Sequence, residues 1–409
     1  MKIWLKYLIG IIIGVGFSFL ASSENVFFAE SAAFISNITI LAGRYSLYPV
    51  LFFGFTVSIF ELRENRGLFR IAILTVLIAA GFALLLSTIG LISVLVRQPA
   101  RIPIFVEGIS QIQQIGIKES ILQLFPSSAF EAFVNGSYIL PLCILGGFAG
   151  AGCAVDKAIA KPSLTLFDSL ARVSYAVMVF FVDILSIGFI AVSAHWVIEF
   201  RAMLSSKIFI DFIILLFVNF IIIVGVIYPI IIKLVCRDIN PYRVIYAAMA
   251  PCFAAFISGD ANMTLSVLLR HSNESLGVRR RISSVTLPMF SVFGRAGTAM
   301  VITVSFIVIL KSYSSLGVGF RNMFWLIGVA SLFSFCLGRF PSGGAFIALT
   351  AICMLYGGGF ESGYLILRPA AFYLGSIACA LDALTALTGT YIIGHLSQMT
   401  MDKDLRFFI

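Results

Sequence analysis

The chain has 409 residues, 60% of them hydrophobic and only 11% charged, with 28 Lys and Arg against 19 Asp and Glu for a formal net charge of +9. Soluble domains carry about 25% charged residues, so this chain cannot cover a water-facing surface with polar groups. The composition excludes a soluble domain and predicts an all-α polytopic membrane protein in which the surplus positive charge sorts loops between the two sides rather than marking nucleic-acid binding.

The first apolar run, residues 4–21, follows Lys2 and Lys6 and has no A-x-A cleavage site behind it, so it reads as a retained span rather than a signal peptide. Further spans are expected at 34–61, 69–96, 136–155, 165–195 and 208–236, each near or above the ~20 residues that cross a bilayer as helix. Sixteen Lys and Arg fall on the side of the N-terminus and eight, Lys118 among them, on the other, which places both termini in the cytoplasm. Arg44, Arg172, Arg295 and Arg339 remain at or within spans. Cys143, Cys153, Cys236, Cys252, Cys336, Cys353 and Cys379 lack C-x-x-C spacing and read as small buried hydrophobes. His195, His271 and His395 are too scattered for a metal site. No nucleophile–base pair and no nucleotide loop is recognisable, so neither an enzyme nor a resident cofactor is expected.

After residue 244 the pattern changes. The apolar run 245–269 breaks at its centre on "SGDAN" (258–262), and 324–356 breaks on "GRFPSGG" (338–344). Each half is too short to span, and both breaks are rich in turn formers, which predicts two re-entrant helical hairpins. Their tips must be buried in protein or line a watery cavity, and paired interruptions of this kind point to a transporter's midplane site. Ordinary Gly-kinked helices are the alternative, but they leave unexplained why each tip carries a charge as well as glycine. Between the hairpins, "FSVFGRAGTAMV" (290–301) holds Arg295 with no other charge from Ile282 to Leu310. The last span holds Asp382 among small residues. Intramembrane ionisable groups are functional candidates and need partners, so Arg295 and Asp382 are expected to offset each other. A purely structural ion pair is the alternative.

The order of these pieces resembles the dicarboxylate/amino acid:cation symporter family, the glutamate transporters. "LFPSSAFEAFVNGSYILPLCILGGFAGAG" (124–152) is similar to the opening of that family's fourth span, and "ISSVTLPMFSVFGRAGTAM" (282–300) to its T-L-P and N-M-D-G-T stretch. "DANMTLSV" (260–267) and "RFPSGGAFIAL" (339–349) fall on its two hairpin tips. The resemblance implies an elevator fold of about eight transmembrane helices plus the two hairpins, assembled as a homotrimer. Residues 1–244 would form the scaffold spans, with span 3 joining the transport core. Residues 245–409 would form that core: hairpin 1 at 245–271, span 7 at 282–311, hairpin 2 at 324–357 and span 8 at 369–396.

Carried over position by position, the resemblance implies substrate contacts at Asp260, Ala261 and Asn262, where the family has three serines, and at Thr298, Gly343 and Gly344. Asp382 matches the aspartate that holds a substrate's amino group. The family's arginine for an acidic side chain is here Thr385, and its later asparagine and aspartate ligands fall on Gly389 and Ile393. N-M-D-G-T reads Gly294-Arg295-Ala296-Gly297-Thr298, so the asparagine and aspartate of the sodium sites are gone as well. The chain therefore reads as a divergent member with eroded sodium-site motifs, in which Arg295 acts as a built-in cation. The expected function is secondary transport of an amino acid or small dicarboxylate, with acidic side chains excluded unless Arg295 or Arg339 replaces the missing arginine. Proton coupling or exchange fits these residues better than Na+ coupling. The alternative is a transporter-like binding or sensor protein that no longer transports. The expected setting is a bacterial cytoplasmic membrane, with lipid and a small-molecule substrate as partners and no nucleic acid.

Overall fold

The computed structural model describes residues 2–20, 26–97, 99–103, 122–134, 138–205, 207–237, 240–313 and 319–409. Ala21 at the end of the first span, Lys118 of the loop count and residues 136–137 at the head of the fourth span lie outside the described residues. Among those described, the ordered elements are helical, and β-pairing is limited to two isolated bridges. Lipid offers no hydrogen-bond partner, so a spanning segment must pair its backbone within itself, as a helix does.

The N-terminal region runs through α1 (Ile3–Leu20), α2 (Val26–Tyr45), α3 (Leu47–Glu64), α4 (Leu68–Val96), α5 (Leu140–Cys153), α6 (Lys157–Leu204), α7 (Ile210–Ile222) and α8 (Tyr228–Val235). The span expected at 34–61 is two helices, α2 and α3, that meet at Ser46. The span expected at 165–195 is the 48-residue α6, about 72 Å long at 1.5 Å per residue. It outruns a ~30 Å hydrocarbon layer, and its N-terminus is capped by Asp156, whose carboxylate accepts from the N–H groups of Ala158 and Ile159 at 3.1 Å. A π-helical turn, Ile223–Ile227, separates α7 from α8. α1, α2 and α3 pack on α6, and α3 also packs on α5. Gly14 of α1 lies against the Ile190 carbonyl of α6, a backbone approach that needs a residue without a side chain.

The C-terminal region is built from α9 (Met249–Ser258), α10 (Ala261–Glu274), α11 (Arg280–Phe293), α12 (Ala296–Tyr313), α13 (Phe320–Phe335), α14 (Gly344–Tyr356) and α15 (Ala371–Leu396). The run expected as one span at 282–311 is α11 and α12, interrupted at Gly294–Arg295. Gly259 and Gly343, at φ +60° and +68°, turn the chain at the two expected breaks, in a conformation that side chains with a Cβ disfavour. α15 packs against α9, α11 and α12, and α4 lies along α12. This arrangement brings three chain interruptions, at 259–260, 294–295 and 338–343, to the flank of α15.

Candidate functional site

The two turns meet. Asp260 and Ser342 form an isolated antiparallel bridge, and the Ala261 N–H donates to the Pro341 carbonyl at 2.9 Å. Asp260 is the N-cap of α10, its carboxylate accepting from the Met263 N–H at 2.7 Å. The same carboxylate is gripped by Arg44 from the last turn of α2: Nε donates to Oδ1 at 3.1 Å and Nη2 to Oδ2. Asp260 is almost wholly buried, Arg44 less so.

Arg295 lies in the gap between α11 and α12 and is buried. Its Nε donates to the Ser291 carbonyl at 2.9 Å and its Nη1 to the Phe340 carbonyl at 2.6 Å. The second contact fastens the α13/α14 turn to the centre of the molecule. Across a small cavity stands Asp382. It accepts from the Thr298 N–H at 2.9 Å and the Thr298 hydroxyl at 2.5 Å, and the Gly297 N–H is also directed at it. These are orphan donors of the α12 N-terminus, so the carboxylate acts as a cap supplied from another helix. A carboxylate offers about four lone-pair sites. Three are occupied, which leaves room for one more donor. Arg295 and Asp382 do not come within ion-pair distance, so the direct pair expected between them is replaced by two carbonyl contacts and a charge facing them across the cavity. With Arg44 and Asp260 the site holds two cations and two anions and is formally neutral.

The cavity between these groups is about 20 Å³. A single water needs roughly 10–15 Å³ by the same measure, so the site as it stands is closed over a volume too small for an amino acid. Ala261, Thr264, Ser291, Arg295, Cys379 and Asp382 are among its walls.

Of the residues expected at the site, Ala261, Arg295 and Asp382 line the cavity, Thr298 grips Asp382, and Asp260 caps the adjoining helix. Gly343 forms the second turn, and a Cβ on Gly344 would stand 3.1 Å from Arg295 Nη1. Gly294 closes α11 against the Phe290 ring, and Ala296 opens α12, fully buried. Asn262 is buried away from the cavity walls. The structure places three others elsewhere. Thr385 turns to Tyr228, whose hydroxyl is 2.6 Å away, while its own hydroxyl donates to the Leu381 carbonyl at 2.8 Å. Gly389 is covered by the Phe290 ring, and Ile393 is buried a turn further along α15. Arg339 lies on a separate cavity of about 410 Å³ with Glu131 and Tyr138. Among the described residues, no group of three His, Cys, Asp or Glu side chains converges as a metal site.

Sequence reading missed Arg44, Ser291, Thr264 and Cys379. For Arg44 a signal existed: an arginine within a span needs a buried anion, and Asp260 was a carboxylate without an assigned partner at the first expected break.

A comparison with curated proteins gave no match. The sequence profile of the Sodium:dicarboxylate symporter family matches residues 3–396, which takes in α1 through α15. The chain belongs to the sodium:dicarboxylate symporter family.

Proposed function

We propose that the protein carries an amino acid or small dicarboxylate across the membrane by an elevator movement, with Arg295 supplying the positive charge that bound cations supply elsewhere in the family. Family membership makes it an integral membrane protein of the secondary-transporter class. The observation that carries the finer reading is the position of Arg295. It occupies the interruption between α11 and α12, faces Asp382 across the cavity and holds the α13/α14 turn shut through Phe340.

In this reading α9/α10 and α13/α14 are re-entrant hairpins, and with α11, α12 and α15 they form the core that moves. Residues 1–244 supply the scaffold, within a homotrimer. The packing of α4 along α12 supports its joining the core. The cytoplasmic face of a bacterial inner membrane is the proposed home of both termini. Substrate enters when the α13/α14 turn lifts. Its amino group takes the remaining lone-pair site of Asp382, and its carboxylate takes the guanidinium donors that Phe340 releases. Sodium has little to gain at Gly294, Ala296, Gly389 and Ile393, none of which offers a side-chain oxygen. Proton coupling or exchange takes its place.

The test is a thermal-shift screen of purified protein against L-serine, L-alanine, L-threonine, L-aspartate and succinate, followed by uptake of each binder into proteoliposomes. A ligand at 100 times its Kd stabilises the fold by about 2.7 kcal/mol. Small neutral amino acids should bind and be taken up. Binding with no uptake would identify a sensor instead, and tight aspartate binding would show that Arg339 or Arg295 serves an acidic side chain.

A further inference from the structure

We propose that Arg44 is a positioning residue for transport: its ion pair with Asp260 holds the core at one station against α2 and must break before the core can move. The proposal rests on the elevator reading, because a pair between two parts that never separate would be static.

Three observations carry it. The first is where the two groups sit. Arg44 belongs to the N-terminal region, in the last turn of α2, and Asp260 to the turn between α9 and α10. The second is how tightly the carboxylate is built into its own side. Asp260 accepts from Met263 as the cap of α10, and the next residue, Ala261, donates to Pro341 of the other turn. A pull on the Asp260 carboxylate is therefore a pull on both turns at once. The third is close packing at the same level. Gly43, beside Arg44, leaves no space for a side chain because Met263 fills it. Asp260 and Met263 thus seat α10 on α2 by one charged and one apolar contact.

Of the other charged ties between the same regions, Arg243–Asp402 keeps its carboxylate in solvent, and the remaining one is built differently. Asp183 of α6 pairs with Arg270 of α10 at 3.1 Å, but Asp183 also holds Lys6, and Arg270 also holds Glu274 at 3.2 Å. Both partners keep a counter-charge after parting. Asp260 does not: among the described residues Arg44 is the one cation within ion-pair distance of it. Removing a buried carboxylate from its partner leaves an uncompensated charge. The Arg44–Asp260 pair is accordingly the contact that sets where the core rests.

The test uses the full-length chain in lipid nanodiscs without substrate, its seven native cysteines replaced by alanine. Spin labels go on Val155→Cys, in the exposed link between α5 and α6, and Arg279→Cys, at the exposed head of α11. The unmodified pair, with labelled subunits diluted among unlabelled ones, should give one distance. Asp260→Asn keeps an equally good helix cap and removes only the charge, so it should add a second distance peak. Arg44→Gln should add the same peak, and Arg44→Gln with Asp260→Asn should show no more of it than the larger single effect. Should Arg44→Gln fail to fold around its stranded carboxylate, Asp260→Asn and the charge-neutral double variant still decide. A single unshifted distance in those variants, while the protein in proteoliposomes takes up L-serine or another compound that binds in the thermal-shift screen, overturns the role of Arg44 alone. So do shifts that simply add. An unshifted distance together with absent uptake overturns the elevator reading as well.

Discussion

The segment 210–235 and the segment 280–313 are both long and apolar enough to cross a membrane, yet within an apolar 18-residue window of each, 28% of the first and 94% of the second is buried by the rest of the chain. The more apolar of the two is the more exposed. Phe217 and Ile221 look outward from α7, while α11 and α12 bury Ser283, Thr286, Arg295, Thr298, Thr303 and Ser305. In water the apolar face turns inward. In lipid the solvent itself is apolar, so lipid takes the oily helices and the interior is reserved for groups that must find hydrogen bonds. Buried polarity, more than hydropathy, is what distinguishes the two segments.

Substitutions in the two segments should separate accordingly, read by thermal unfolding of purified protein in one detergent. The largest loss is expected for Arg295→Met, which leaves the Phe340 and Ser291 carbonyls without their donor and Asp382 facing no cation. Removing one partner from a buried charged arrangement costs roughly 3–5 kcal/mol. Unchanged stability would mean that Asp382 is satisfied by the α12 N-terminus alone. Gly297→Val comes next. Its side chain would run into Leu381 and the Ala378 carbonyl, prising α12 from α15, and overpacking of this kind costs about 1–3 kcal/mol. Tyr228→Phe should cost about 1 kcal/mol by deleting the bond to Thr385, with ligand affinity unaltered because Thr385 stands off the cavity. A drop in affinity would return Thr385 to the substrate site. Phe217→Ala, on the lipid-facing side, should stay within about 0.5 kcal/mol. A loss as large as that of Gly297→Val would show that this face is covered, as a subunit interface would cover it.

The spans were legible because an 18-residue apolar run has few other uses; α4 and α8 end within a residue or so of their expected limits. The two turns were legible for a different reason: Gly259 and Gly343 carry the left-handed φ that only glycine takes easily. What hydropathy could not register was direction. The break at Ser46 falls inside a run read as one span, although Arg44, Ser46 and Pro49 mark it, and the extension of α6 to 48 residues passes through polar ends that look like loops. At the site, the chain positions of Arg295 and Asp382 identified them, but their partners did not follow. Arg295 is held by backbone carbonyls, which every residue possesses and no sequence pattern distinguishes. Thr385 and Gly389 were assigned by position along α15, and position along a helix does not say which side chain of a neighbouring helix covers it; Gly389 shares the face of Asp382 two turns away. Thr385 faces Tyr228 and Gly389 faces Phe290.

The central claim is that this core carries its own cation, and sodium dependence tests it most directly. For each compound that stabilises the purified protein, the dissociation constant is measured in NaCl and in choline chloride at equal ionic strength. The account predicts the same value in both salts. A dissociation constant that falls steeply as Na+ rises would contradict it, because backbone oxygens would then be building a sodium site beside Arg295, and the guanidinium would not be standing in for the ion.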